Sequence, residues 1–484
     1  MNPLAAKFEN RLFLALMVLL VWLPLPLGSN RPWAEAIFEI WVAVLSLFWI
    51  MGFQRNWVTA GDAFKGARVV LWLLATWLIY VALQLLPLPP TVRELLSPES
   101  VASYRLAGEG GWAALSVYPY VTLQFWLKSV AYVAMFALIL LLVNNKYRLV
   151  ILGYTLVFSG VCQAFYGSVM TLSGLEYGFF IKKFAYVGFA TGTFVNRNHL
   201  AGYLEMVSAV GIGLLMATAY RKDRTHSWRQ RLRNLLSLML SQKLLLRLML
   251  ATMVIALVLT RSRMGNTGFF VSMLVAGMVT LAVFRSQSGS IMKMFQRSDT
   301  RSAVILIVSL IVIDMFIVGA WFGVEQVAQR LAESSVSHDS DRVEVSLNTL
   351  NLLQDYPLTG AGGGSFHVVF SRYRGDGIDA YYDHAHQDYL EITADVGAIG
   401  IGLLGLVVLS SLWAALTALY RRRDGLMRGM AFSSIMGVVA LLIHSTVDFN
   451  LQIPANAATF MVILALGWIA LNLERHQKHS SRDE

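Results

Sequence analysis

The residues best suited to chemistry lie at positions 382–391, with the sequence Tyr-Asp-His-Ala-His-Gln-Asp-Tyr-Leu-Glu. This stretch holds two histidines and three acids, and the chain around it is largely apolar. Histidine is the side chain whose ordinary pKa lets it accept or release a proton near neutral pH. The stretch therefore predicts general-base chemistry, with His386 as the candidate base and His384 as the alternative.

Arginines form a second set of candidates. Arg261 and Arg263 lie in a short link between two apolar segments. Arg342 precedes a stretch with leucines at helical spacing, and Arg197 stands where another apolar segment begins. A guanidinium stays charged at any biological pH and offers a planar fork that fits a phosphate. These residues predict an anion-binding group.

A third group, His444-Ser-Thr-Val-Asp448, stands at the end of an apolar segment. Ionisable residues in such a place are costly unless they are paired, so they usually face an interior cavity. Asp448 or Asp388 could orient the His386 imidazole or anchor an arginine. A purely structural hydrogen-bonded pair at His444 is the alternative interpretation.

The pair His384 and His386 also raises the question of a metal. His-x-His-x-Asp begins the metal motif of metallo-β-lactamase-like hydrolases, and residues 384–388 match it. That motif continues with a further histidine where this chain has Tyr389, and the segment 324–395 is too short for the corresponding domain. We therefore expect no bound metal and no cofactor.

The elements that position these residues are membrane helices. The 484-residue chain is 56% hydrophobic and 14% charged, whereas soluble domains are close to a quarter charged. Apolar segments long enough to cross a bilayer recur at short intervals. They lie at 12–28, 34–53, 69–88, 121–143, 149–172, 199–219, 244–260, 266–284, 303–323, 396–419, 430–447 and 455–473. The sequence predicts an all-α polytopic membrane protein with about twelve transmembrane helices.

The distribution of Lys and Arg predicts the orientation of the chain. The segment 220–247 carries eight basic residues against a single acid, Asp223, and such segments remain in the cytoplasm. Both termini are then cytoplasmic, and the loops 89–120, 173–198 and 324–395 face the periplasm, the last with short helices. The net charge of +10 thus reflects topology rather than nucleic-acid binding. For Arg261 and Arg263, contact with lipid headgroups is the alternative to an anion site.

These motifs, in this order, resemble the O-antigen ligase and polymerase superfamily of bacterial envelope glycosyltransferases. The matching residues are Ser262-Arg263-Met264-Gly265, Arg342, Pro357 to Gly364, His386 to Leu390 leading to Gly397, and His444 to Asp448. The family shows Ser-Arg-Gly and His-Asn, whereas Met264 separates Arg263 from its glycine here and Gln387 replaces the asparagine. The resemblance divides the chain into N-terminal helices (1–190), a catalytic membrane domain (191–473) and a cytoplasmic tail (474–484).

The resemblance implies a GT-C-like, metal-independent enzyme of the bacterial inner membrane. Such enzymes take a glycan from an undecaprenyl pyrophosphate carrier. A ligase passes it to lipid A-core, and a polymerase passes it to a second lipid-linked glycan, which also allows a chain-length regulator as a partner. In this chain the resemblance places the pyrophosphate on Arg263 and Arg342, with Arg197 or Arg261, and gives His444 a supporting position.

Two other classes of protein remain as alternatives. A transporter or flippase of lipid-linked sugars would also be helical and basic, and would need polar residues near mid-membrane, where Lys128 and Asp314 are the candidates. A structural scaffold would not need the arginine and histidine groups.

Overall fold

The computed structural model describes residues 3–219, 242–288, 312, 338–375 and 381–473. The structure is 76% helical, and eight of its described helices are long and apolar enough to cross a membrane. The predicted all-α polytopic fold is therefore confirmed. Within the described part of the chain the only sheet is a two-stranded hairpin, which the sequence analysis did not predict.

The helices are α1 (Pro3–Trp22), α2 (Pro32–Gln54), α3 (Asp62–Gly66), α4 (Arg68–Leu83), α5 (Pro90–Leu96), α6 (Pro98–Leu106), α7 (Pro119–Leu142), α8 (Lys146–Leu172), α9 (Arg197–Ala219), α10 (Gln242–Leu259), α11 (Arg263–Ser288), α12 (His338–Asp355), α13 (Phe366–Val369), α14 (Asp388–Arg421), α15 (Gly425–His444) and α16 (Pro454–Asn472). Short 3-10 turns occur at Leu27–Ser29, Phe370–Arg372 and Asn450–Gln452. The strands β1 (Tyr177–Gly178) and β2 (Ile181–Lys182) pair antiparallel. The predicted span 303–323 lies outside the described residues apart from position 312.

The centre of the bundle consists of α9, α15 and α16. In their most apolar stretches, 94% of α9 and α16 is buried, compared with 22% of α2 at the periphery. Gly213 of α9 and Gly429 of α15 approach so closely that a Cβ on either would collide with the carbonyl oxygen of the other. Lipid supplies no hydrophobic force between helices, so such close packing of small residues holds the central pair together.

Helix α14 begins eight residues earlier than the predicted span and is broken at Gly397. Its first turn contains Asp388 and Glu391, whose negative charges favour a helix N-terminus but lower the local hydropathy. At Gly397 the backbone is left-handed, with φ +65°, and the carbonyl of Leu358 occupies the space where a Cβ would stand. The amides of Ala398 and Ile399 donate to the carbonyls of residues 357 and 358, at 2.9 and 3.2 Å.

The glycine-rich segment 357–364 docks into this break. The amides of Ala361 and Gly362 donate to carbonyls of α14, at 2.8 and 2.9 Å, and that of Gly363 donates to Gln84 Oε1. Asp395 Oδ1 accepts from the amide of Phe366. The amides of this segment are thus used to join α14, α4 and α13, which fixes where the 381–387 stretch enters α14.

The predicted amphipathic helix after Arg342 exists as part of α12. Among the described side chains of α12, Val345, Thr349 and Leu352 are buried. Val345 and Leu352 pack in a small core with Tyr356 and neighbouring residues, separate from the main bundle. Leu347 and Leu350, on another face, are exposed. The leucine spacing therefore predicted the helix correctly but not its buried face.

We predict that Gly397→Ala destabilises the protein by about 2 kcal/mol or more, because an L-residue resists this backbone conformation and its Cβ would displace the 357–364 segment. The control is Gly402→Ala in the same helix, where no atom lies within 4 Å of the added Cβ. That change should be neutral or slightly stabilising. Denaturation of purified protein in detergent measures both, and equal stability of the two variants would contradict the docking role of the break.

Candidate active site

The ring of Phe449 is the common contact of three histidines. His384 stacks on it with ring centroids 4.2 Å apart, and His386 and His199 meet it edge-on at 4.9 and 4.7 Å. Residues 381–387 form no regular element, yet the rings of His384 and His386 both contact Phe449. The structure thus brings both predicted bases to one ring, together with a histidine that the site prediction omitted.

His384 is held by Glu391. Its Nδ1 lies 2.7 Å from Glu391 Oε1, and Glu391 Oε2 accepts from the amide of Ala385 at 2.8 Å. Burial by itself lowers the pKa of His384, but the nearby Glu391 carboxylate outweighs this effect and raises it above the ordinary value. Because Nδ1 is engaged and the side chain remains 29% exposed, Nε2 is the ring nitrogen left to meet a ligand.

His386 is the opposite case. Its backbone is left-handed, with φ +54°, and its buried Nδ1 has no hydrogen-bond partner in the described protein. Burial and, after it, the positive charge of Arg342 lower the pKa of His386 to about 4, against the opposing effect of Asp448. The imidazole is therefore neutral at physiological pH and able to accept a proton, and its conformation is of the strained kind that concentrates at functional sites.

Asp448 lies behind the three histidines and faces His199. The distance from its Oδ1 to His199 Nε2 is 3.8 Å, and the same oxygen accepts from the amide of Phe449 at 2.9 Å. Burial raises the pKa of Asp448, but His199, His444 and this amide reverse the shift and the pKa is lowered. Asp448 is thus a buried anion whose described neighbours include His386, as predicted, although no hydrogen bond joins the two in the described structure.

His444 pairs with Glu205 rather than with Asp448. Its Nδ1 lies 2.9 Å from Glu205 Oε1, and both side chains are buried. A Cβ on Gly265 would stand 3.1 Å from the same carboxylate oxygen. The glycine of the Ser-Arg-Met-Gly motif therefore permits α11 to pack against this pair, which the sequence analysis did not anticipate.

Asp388 has a structural position. Its carboxylate accepts from Ser445 Oγ at 2.6 Å and from the amide of Leu451 at 3.2 Å, and its own amide donates to the carbonyls of Ser445 and Asp448. The sequence analysis offered Asp388 or Asp448 as the residue that orients His386 or anchors an arginine. The described hydrogen bonds of Asp388 include neither His386 nor an arginine. Asp388 instead ties the start of α14 to the 445–451 turn that carries Phe449.

The four predicted arginines come together beside this group. The guanidinium of Arg197 lies 4.2 Å from the ring centroid of Phe189, and that of Arg261 lies 5.4 Å from the same ring. Arg342, Arg263 and Arg261 all lie within electrostatic range of Arg197. Arg342 also acts on His386, so it links the arginine group to the histidine group. Like charges repel, and such a cluster favours a bound anion.

The described residues do not favour a metal. Within the described ranges, no group of three or more His, Cys, Asp or Glu side chains is placed to hold an ion. Of the His-x-His-x-Asp triplet, Asp388 accepts hydrogen bonds from Ser445 Oγ and from the amide of Leu451, so its carboxylate is engaged away from the two histidines. The donor geometry of that motif is therefore not present.

An apolar cavity of about 400 Å³ lies on the other side of the α14 N-terminus. It is bounded by α4, α7, α14 and α16, with Trp77, Phe125, Leu404 and Phe460 in its wall. Asp388 also lines it, so the cavity adjoins the turn that carries Phe449. A long apolar chain could lie there while a polar head reached the arginine and histidine groups.

One family model matches part of the chain. Residues 248–405 match the O-antigen ligase family model. The resemblance inferred from the motifs is confirmed by this match, which contains Arg261, Arg263, Arg342, His384 and His386. No curated protein matches the chain.

The candidate site also contains residues from outside the matched segment 248–405. Arg197 and His199 come from the start of α9, and His444, Asp448 and Phe449 come from the end of α15 and the turn after it. Glu205, Glu391 and His199 were not among the predicted site residues. Glu391 was visible as an acid near the two histidines, but nothing in the sequence shows which histidine it contacts.

We predict that Arg263→Lys weakens binding of inorganic pyrophosphate by about tenfold or more, because lysine keeps the charge but loses the planar fork. The control is Arg285→Lys, an exposed arginine in the last turn of the same helix. It should leave binding unchanged. Calorimetric titration of the protein in lipid nanodiscs measures both affinities, and equal tolerance of the two changes would remove Arg263 from the anion site.

Proposed function

We propose that this protein is a glycosyltransferase that moves a glycan en bloc from an undecaprenyl pyrophosphate carrier to an acceptor hydroxyl, on the periplasmic side of the bacterial inner membrane. The observation that carries the proposal is a neutral, partly buried His386 beside Arg342, one of four clustered arginines, with an Nδ1 that has no hydrogen-bond partner among the described residues. An anion site next to a proton acceptor is what glycosyl transfer from a pyrophosphate requires.

The donor would bind in two parts. Its pyrophosphate would be held by Arg263 and Arg342, with Arg197 and Arg261 stacked on Phe189 behind them. Its polyprenyl chain would occupy the apolar cavity between α4, α7, α14 and α16. The family match to O-antigen ligase supports a lipid-linked glycan as substrate.

In the proposed reaction, the acceptor hydroxyl gives its proton to His386 while its oxygen attacks the anomeric carbon of the glycan. The bond from that carbon to the pyrophosphate oxygen breaks, and the polyprenyl pyrophosphate leaves with its charge neutralised by the arginines. A general base of this kind contributes about 10²- to 10⁴-fold in rate. Charge stabilisation in a water-poor site supplies a further part.

Donor binding would also tune the base. In the described structure Arg342 lowers the pKa of His386. A bound pyrophosphate would offset the charge of Arg342, so the pKa of His386 would rise toward the range in which an imidazole is an effective base. The base would then be strongest when the donor is in place.

His384 takes a different role in this proposal. Glu391 stabilises its protonated form, and His384 contacts the ring of Phe449, as His386 does. Two titratable groups whose pKa values are pushed apart are typical of an acid–base pair. His384 would act as a cationic hydrogen-bond donor, through Nε2, to the pyrophosphate or to the acceptor, and Glu391 would be its positioning residue.

Lipid A-core is the acceptor that we propose, since the matched family is described as O-antigen ligase. Polymerisation of lipid-linked repeat units is the second candidate, and transfer assays with each acceptor distinguish the two. A transporter is less well supported: Lys128 is paired with Glu35 at 3.1 Å, and Asp314 lies outside the described residues.

We predict that His386→Ala lowers transfer by about 10²-fold or more while the protein still inserts and folds, because the imidazole serves as the base. The assay follows glycan transfer by purified protein from an undecaprenyl pyrophosphate donor, with EDTA present. The control is His367→Ala, whose Nδ1 contacts only the nearby carbonyl of Gly364 among its described hydrogen bonds.

Near-normal turnover by the His386 variant would overturn its assignment as the base. Loss of wild-type activity on chelation, with recovery on adding zinc or magnesium, would revive the metal interpretation.

We predict that Glu391→Gln moves the alkaline limb of the pH profile of kcat/KM to lower pH. A raised pKa keeps His384 protonated below that pKa, and the cation is lost as pH rises through it. Without the Glu391 carboxylate the proton is lost earlier, so activity falls earlier. Measurements between about pH 5 and 9 test this. A uniform loss of activity at every pH would indicate that Glu391 only supports the fold.

A further inference from the structure

The hairpin β1–β2 has an unusual turn. Its register pairs Tyr177 with Lys182 and Gly178 with Ile181, so Phe179 and Phe180 form a two-residue connection. Both have positive φ, +44° and +66°, which is the geometry of a type I′ turn. That turn strongly favours Asn-Gly, because residues with large side chains resist the left-handed conformation. Two phenylalanines at these positions are unfavourable for the turn, which indicates that their side chains have a role other than forming it.

The side chains at and after this turn are unusually exposed. Phe180 is 89% exposed and Phe184 is 77% exposed, and Ile181 and Val187 are also more than half exposed. A contiguous apolar surface of this kind marks an interaction site. Lys182, between Ile181 and the buried Lys183, is exposed as well and adds a positive charge to the surface.

The position of the hairpin indicates what covers this surface. It follows α8, a candidate membrane span that ends at Leu172. One face of α8 is exposed through Phe158, Phe165, Val169 and Leu172, at spacings of seven, four and three residues, as expected of a lipid-facing stripe. The apolar hairpin lies beside the last turns of this helix, since the amide of Glu176 donates to the carbonyl of Met170 and Tyr166 hydrogen-bonds to the backbone of Phe179 and Phe180. It thus adds to the stripe at the level where aromatic side chains settle between acyl chains and headgroups.

We infer that the β1–β2 hairpin is an aromatic anchor that inserts into the lipid interface of the membrane and fixes one wall of the arginine cluster. The partner is the phospholipid bilayer, with the Phe179-Phe180 tip in its apolar boundary and Lys182 near the headgroups.

The coupling to the arginines runs through a buried ion pair. Glu176 lies just before β1 and Lys183 just after β2, and the Glu176 carboxylate binds Lys183 Nζ at 2.7 Å. The same carboxylate accepts from the amide of Gly188 at 2.9 Å. Lys183 Nζ also donates to the carbonyl of Phe189 at 2.8 Å. Phe189 is the ring against which Arg197 and Arg261 lie. The base of the hairpin is thus joined directly to the residue that orients two of the arginines.

The first experiment measures where the tip lies. A spin label is placed at Phe180→Cys in a Cys162→Ser background, and the protein is reconstituted in nanodiscs of phosphatidylglycerol and phosphatidylethanolamine. Collision with oxygen should exceed collision with a water-soluble nickel complex several-fold, relative to a reference label at Glu109→Cys in an exposed loop. Equal nickel access at the two positions would overturn the anchor. Protection that appears only when a polyprenyl-linked substrate is added would also overturn it, in favour of a substrate contact.

The second experiment separates the anchor from the turn. Replacing Phe179 by Asn and Phe180 by Gly gives the residues that a type I′ turn prefers, so the turn itself should be kept or strengthened. If the side chains anchor the segment, amide hydrogen exchange of residues 183–190 in nanodiscs should become several-fold faster in spite of the better turn. Exchange that is unchanged or slower would show that the phenylalanines do not hold this wall. Neither measurement depends on the proposed transferase activity.

Discussion

Three carboxylates buried at one end of the helix bundle each face a histidine, and this pairing sets the arrangement of the site. A buried charge without a partner is strongly disfavoured in a medium that cannot solvate it. Glu205 and Glu391 lie within hydrogen-bond distance of His444 and His384, and Asp448 faces His199 at 3.8 Å. These contacts join α9 to α15, the 448–450 turn to α9, and α14 to the stretch before it. The need to place a histidine near each of these buried carboxylates therefore also determines which elements are neighbours. The ring of Phe449 fills the space among His199, His384 and His386.

The two histidines of the 384–386 stretch differ because, among the described residues, His384 has a carboxylate within hydrogen-bond distance and His386 has none. Glu391 stabilises the protonated form of His384, whereas the buried Nδ1 of His386 has no hydrogen-bond partner among the described residues and Arg342 lowers the pKa of His386. Position along the chain does not distinguish them, since both rings contact Phe449. Their surroundings do, and the assignment of base and cationic donor in the proposed mechanism follows from this difference alone.

The placement of these groups depends on backbone features some distance away. The break at Gly397 admits the 357–364 segment, whose amides bind α14 and thereby set where the histidine stretch joins the helix. On the other side, the Glu176–Lys183 pair holds the segment that carries Phe189, and with it Arg197 and Arg261. Rigid support of this kind is what holds catalytic side chains in a productive geometry.

The sequence by itself determined the class of fold, the four arginines, the two candidate bases and the family resemblance. Hydropathy, charge and motif order are local properties of the chain, so they can be read without a structure. The sequence could not show that His444 binds Glu205, since 239 residues separate them, or that Glu391 selects His384 rather than His386. Only the tertiary structure decided these partners, because a buried charge pairs with whatever group the packing of the helices brings within reach.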